Sequence, residues 1–143
     1  MDAMEKVRVT KNLIYVLLAV KALMLVWGIL GLIEYFVPAA GFGLQDENFP
    51  AGVQFLHWLL ITLTGTVFVV GYMTGWTYTP FATITMYATL ATICFVETVD
   101  FNAFGGGDRR FFIMALEYVL YIVLSTYLLR SEHFRMRFQA TIG

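Results

Sequence analysis

The chain has 143 residues, of which 59% are apolar and 13% charged, with nine basic side chains against ten acidic ones. Soluble domains run at about 45–50% apolar and about 25% charged, so the composition excludes an ordinary water-soluble protein, and the near balance of charge leaves no basic stripe for nucleic acid. The single cysteine, Cys94, excludes an intrachain disulfide and sits in an apolar stretch, where a free thiol ordinarily packs as a small hydrophobe.

The opening "MDAMEKVRVTKNL" mixes charges and leads into an apolar run with no small-residue cleavage site close behind, which reads as a retained first helix rather than a signal peptide. A first membrane span is expected over 12–33. Gly28 and Gly31 fall in it at helical spacing for close packing, and Lys21 lies ~13 Å from its cytoplasmic face at 1.5 Å per residue. The connection 34–52 is long, aromatic and partly apolar, which suits a segment lying along the membrane interface. Within it Pro50, after "QDEN", marks a helix start. The second span, 53–72, opens on "QFLHWLL", where His57 and Trp58 both suit an interfacial aromatic belt. The turn "GYMTGWTYTP" follows, with Gly71 and Gly75 as small packing residues and Pro80 in the first turn of the third helix, where its missing N–H costs nothing.

A third span covers 80–99, with Thr85, Thr89 and Thr92 along one face and hydroxyls expected to bond back to their own helix. It runs into "CFVETVDFNAFGGGDRRFF", where Glu97, Asp100, Asp108, Arg109 and Arg110 crowd the rim of the apolar runs. The fourth span, 111–129, carries Glu117, and a basic, aromatic tail "RSEHFRMRF" after it suits anionic head groups. Between Asn48 and Val96 there is no Asp, Glu, Lys or Arg. Two crossings of about 20 residues each account for so long an uncharged stretch.

Four spans with short connections imply an all-α fold: one integral membrane domain, an antiparallel four-helix bundle. Lys6, Arg8 and Lys11 precede the first span and Arg130, Arg135 and Arg137 follow the last, which places both termini in the cytoplasm.

Depth arithmetic then gathers the ionisable residues. Glu34 ends span one at the outer face; His57 lies ~6 Å below that face, Glu97 ~4 Å and Glu117 ~9 Å at the standard rise. These four, with Asp100, form a polar layer in the outer third of the membrane, and Asp108, Arg109 and Arg110 are expected as rim ion pairs above it. A carboxylate in hydrocarbon needs the bundle interior, a partner or a proton. That singles out Glu117, for which Lys21 is the candidate intramembrane partner unless it snorkels to the cytoplasmic face. Three roles suit the layer: a divalent metal held by His57, Glu97 and Glu117, although the paired Glu-x-x-His of di-iron bundles is absent; a proton relay or polar head-group site; or a lock on helix register. The aromatic residues, Trp27, Trp58 and Trp76 among them, suit lipid-facing belts better than a cofactor box. No motif indicates a cofactor, which leaves a quinone or a lipid as the candidates, and no catalytic set stands out.

The layout of four spans, a longish first outer loop, the Gly-bearing turn "VVGYMTGW" and a last span reading "FFIMALEYVLYIVLSTYLL" resembles the DoxX-like membrane proteins, with "ALEYVLY" around Glu117 as the nearest local likeness. The "GLIEYF" at the end of span one departs from that pattern, which has a Gly-Lys pairing there. The resemblance implies a small bacterial or archaeal plasma-membrane protein, a membrane subunit or partner of a redox system. The leading expectation is therefore an accessory or anchoring subunit of a membrane complex, quinone-linked, with lipids and other membrane subunits or a second copy as partners. The alternative is a self-contained transporter or membrane enzyme that binds a proton, a metal or a small polar ligand at the outer Glu/His layer.

Overall fold

The computed structural model describes residues 3–45, 49–101 and 109–131, together with Phe134 and Phe138. These contain four α-helices: α1 (Ala3–Phe36), α2 (Ala51–Thr74), α3 (Thr79–Val96) and α4 (Arg109–Arg130). Three stretches are long and apolar enough to cross a membrane: Lys11–Phe36, Ala51–Thr74 and Thr79–Asp100. They contain the first three spans expected from the sequence. The fourth helix has 22 residues, which meets the length of a crossing.

The first helix is longer than a span requires. It has 34 residues, about 50 Å at the standard rise, and its first turns carry the charged side chains Glu5, Lys6 and Arg8. Because a helix satisfies its own backbone, it need not stop where the apolar run stops.

Helix α1 packs on α2, α2 on α3 and α3 on α4, and α4 meets α1 and α2 through side chains, Leu128 lying in one buried cluster with Leu17 and Phe68. Glycine sets the closest of these contacts. A Cβ on Gly65 of α2 would stand 2.7 Å from the backbone nitrogen of Leu25, and one on Gly28 of α1 would stand 2.7 Å from that of Thr62. Rising numbers on α1 thus meet falling numbers on α2. Gly31 opens a slot that the Trp58 ring fills, so Trp58 is 7% exposed and packs between helices rather than in a lipid-facing belt.

The α2–α3 turn follows from two residues. Gly75 takes a left-handed conformation at φ 68° and donates its N–H to the Gly71 carbonyl, and Trp76 N–H reaches the same oxygen at 3.0 Å, so the last turn of α2 is closed. Pro80 then stands in the first turn of α3, as expected. At this end of the molecule, the Gly75 end, Leu17, Phe68, Leu128, Phe134 and Phe138 gather into one buried cluster.

At the opposite, Glu34 end, the connection after α1 folds back on the helix. A short 3-10 turn, Pro38–Ala40, is followed by Gly43 and Leu44, whose N–H groups donate to the two Glu34 carboxylate oxygens at 2.8 and 2.7 Å. Gln45 Nε2 donates to the Gly31 carbonyl at 3.0 Å. Asp46, Glu47 and Asn48 lie outside the described residues, and Pro50 stands immediately before α2. Beyond Val96 the third helix widens into a π-helical turn, Glu97–Phe101.

Candidate functional site

Helices α2 and α3 each bring one ionisable side chain to the same point near the Glu34 end. His57 stands two turns into α2, and Glu97 opens the π turn, where the wider winding swings its side chain relative to a regular α-helix. His57 Nδ1 lies 2.9 Å from both Glu97 carboxylate oxygens, the one ion pair found among the described residues. Glu97 is 8% exposed. In so apolar a setting a carboxylate is tolerated because a hydrogen-bonding partner is at hand.

Cys94 completes this corner. It precedes Glu97 by three positions, so both side chains share one face of α3. The ligand-type atoms of His57, Cys94 and Glu97 all lie within 4.8 Å of one another. The sequence pointed instead to His57, Glu97 and Glu117 as the metal-capable set, with Cys94 as packing. The cluster contains Cys94, and Glu117 faces it from α4 without joining it.

Glu117 lines an open-sided groove of about 640 Å³. Leu23, Met24 and Trp27 of α1 form one wall, His57 and Ile61 of α2 and Leu90 and Cys94 of α3 the floor, and Glu117 the far side. The α4 backbone approaches α3 more closely than α1, and the groove lies between Glu117 of α4 and the α1 wall. Its lining is almost wholly hydrocarbon apart from His57, Cys94 and Glu117. Glu117 and His57 both line this groove.

Lys21 goes neither to Glu117 nor to the helix end. It is 2% exposed, its Nζ sits over the Tyr87 ring at 4.8 Å from the centroid, and it donates to Met24 Sδ at 3.7 Å. Tyr87 precedes Cys94 by two helical turns, or roughly 10 Å along α3 at the standard rise. An ammonium over an aromatic face is held by the ring's quadrupole, which gives this cation a resting place without a carboxylate.

The remaining candidates separate from the groove. Glu34 is 5% exposed and committed to the loop N–H groups, so it anchors the connection. Asp100 is exposed on the π turn. Arg109 and Arg110 begin α4, but their side chains and the whole of Asp108 lie outside the described residues, and the expected rim pairs lie there with them. The hydroxyls of Thr85, Thr89 and Thr92 stay within α3, donating to the carbonyls of Phe81, Thr85 and Ala88 at 2.9–3.0 Å, as expected. No family model, curated protein or solved structure matches the chain.

Proposed function

We propose that the protein is a multi-pass membrane protein, an antiparallel four-helix bundle with both termini in the cytoplasm, that binds an amphiphile with a polar head in a groove open to the outer leaflet. The observation that carries this reading is the groove itself. Its apolar walls suit a hydrocarbon chain or an aromatic ring, its open side between α1 and α4 gives lateral access from lipid, and its few polar groups, His57, Cys94 and Glu117, converge at one place. Ligand sites in proteins have this make-up, a mostly apolar concavity with a small number of fixed polar groups. A quinone head offers carbonyl oxygens to N–H or O–H donors at His57 and Glu117, and a lipid head offers hydroxyls to the Glu117 carboxyl.

The likeness to DoxX-like proteins, and the bacterial or archaeal plasma membrane that goes with it, agree with a quinone as the occupant. The role of anchoring subunit in a quinone-linked complex is the second reading, and its support is α4. Phe112, Leu116, Val119, Leu120 and Val123 are exposed along that helix, a face for lipid or for the helix of a neighbouring subunit.

Trp27 lines the groove and gives the test its signal. A short-chain ubiquinone analogue added to the protein in lipid nanodiscs is expected to quench Trp27 emission saturably, with Trp27→Phe as the control that removes the signal. Glu117→Leu, which removes the hydrogen-bonding group, is expected to weaken binding about 3–10-fold, since a typical hydrogen bond contributes about 0.5–1.5 kcal/mol. Quenching that rises linearly without saturation, or an affinity indifferent to Glu117→Leu, contradicts the proposal.

A further inference from the structure

We infer that His57, Cys94 and Glu97 form a binding site for one divalent transition-metal ion of the zinc class, with an open coordination position toward the groove. The donor set is the first argument. An imidazole, a thiolate and a carboxylate are the three side-chain ligands of zinc, and three protein ligands plus one exchangeable position is the form of its open, reactive sites. A hard cation such as magnesium or calcium takes oxygen ligands instead, and the sulfur selects against it.

Geometry is the second. Zinc bonds of about 2.0–2.3 Å place tetrahedral donors about 3.3–3.8 Å apart. Here the three donor atoms lie within 4.8 Å of one another, and His57 Nδ1 is already 2.9 Å from both carboxylate oxygens. Side-chain movement of about 1 Å closes the set around an ion. The elements that supply the donors are fixed: Cys94 and Glu97 by the winding of α3 and its π turn, His57 by α2, packed against α3. His57 and Cys94 also line the groove, so the fourth position faces the space where water or a ligand's polar head sits.

Charge is the third. A divalent ion with one thiolate and one carboxylate is a neutral unit, the form that an apolar interior accepts most readily. On binding, the Cys94 thiol gives up its proton to water and its sulfur donates an electron pair to the metal. The ion also takes the place of the hydrogen between His57 Nδ1 and Glu97: that proton passes to Nε2 by tautomerisation of a neutral ring, or to water from a charged one, and leaves the Nδ1 lone pair for the metal. No electron is transferred.

The inference does not depend on what occupies the groove, and its readout needs no amphiphile. Cobalt(II) chloride titrated into the full chain in nanodiscs is the probe, because thiolate bound to cobalt gives an intense near-ultraviolet charge-transfer band. With a single cysteine in the chain, that band can come only from Cys94. The expected result is one cobalt per chain with the band present, its displacement by zinc, and release of at least the thiol proton. Zinc is also expected to raise the melting temperature of the unaltered protein, since it binds the folded state. Cys94→Ser is expected to abolish the band, and His57→Ala to weaken binding by more than the 10–100-fold that loss of an outer hydrogen-bond partner typically costs. Glu97→Gln should act in the same direction. A cobalt spectrum without the thiolate band, in a protein of unchanged helicity, overturns the inference, and so does a band whose midpoint is unmoved by His57→Ala and Glu97→Gln. If a variant fails to fold, the band and the zinc-induced melting shift of the unaltered chain decide.

Discussion

A carboxylate at the end of a hydrophobic helix has to be compensated, and Glu34 and Glu97 are compensated differently. Glu34 receives two backbone N–H groups from its own connecting loop, whereas Glu97 receives the imidazole of another helix. The first anchors a loop, and the second belongs to the metal site we infer. Glu34→Ala should therefore loosen the loop without touching the groove. Each charge-assisted bond contributes about 1.5–3 kcal/mol, so amide exchange at residues 41–45 is expected to accelerate at least tenfold, read by hydrogen–deuterium exchange, while exchange around His57 stays unchanged. Depth counting placed His57 and Glu97 at similar levels, because helices of known rise put residues at predictable heights, but it did not pair them. Cys94 was equally accessible to that arithmetic, three residues before Glu97 on the same helix, but its apolar surroundings made packing the default reading. The position of Lys21 was not legible. A helical rise fixes height, not azimuth, and its contact with Tyr87 depends on how α1 and α3 are rotated.

Among the elements, the contact of α1 with α2 determines how closely two apolar helices can approach. Gly28 and Gly31 signalled one side of it by their spacing, but Gly65 on the facing helix has no glycine or alanine three or four residues away in α2 and escapes a search for such pairs. The clash at Gly65 is with the Leu25 backbone, which cannot rotate aside as a side chain can. Gly65→Leu is expected to destabilise the protein by about 1–3 kcal/mol or more, seen as a lowered melting temperature in detergent. Gly52→Ala, near the start of α2 where nothing lies within 4 Å of the added carbon, is expected to leave stability unchanged or slightly raised, since alanine is the better helix former. Equal losses in the two variants would contradict the packing account. The π turn after Val96 could not be read from the sequence, where 80–99 looks like a uniform span. Its consequence, the direction in which Glu97 points, is a property of winding rather than of composition.

At the scale of the molecule, the apolar composition and the long uncharged stretch pointed to membrane-spanning helices, and the groove was the part hidden from sequence. A cavity arises from where helices separate, and no local pattern records that near Glu117 the α4 backbone keeps close to α3 rather than to α1. The proposed topology makes a direct prediction. In a Cys94→Ser background, cysteines placed at Glu5, Ala39 and Thr77, all exposed, should divide into two classes toward an impermeant maleimide. Ala39→Cys is expected to react in intact cells, and Glu5→Cys and Thr77→Cys only after the membrane is opened; reaction of Ala39→Cys and Thr77→Cys from the same side contradicts the crossing of α2. The central claim, an amphiphile held in the groove, is tested most directly by native mass spectrometry of the protein extracted from its own membrane in a mild amphiphile, beside a Leu23→Trp variant that fills the groove mouth. The account predicts a bound mass in the size range of a quinone or lipid on the unaltered chain and its loss from Leu23→Trp at unchanged helicity. A chain that carries no such mass, or carries it equally in both proteins, contradicts it.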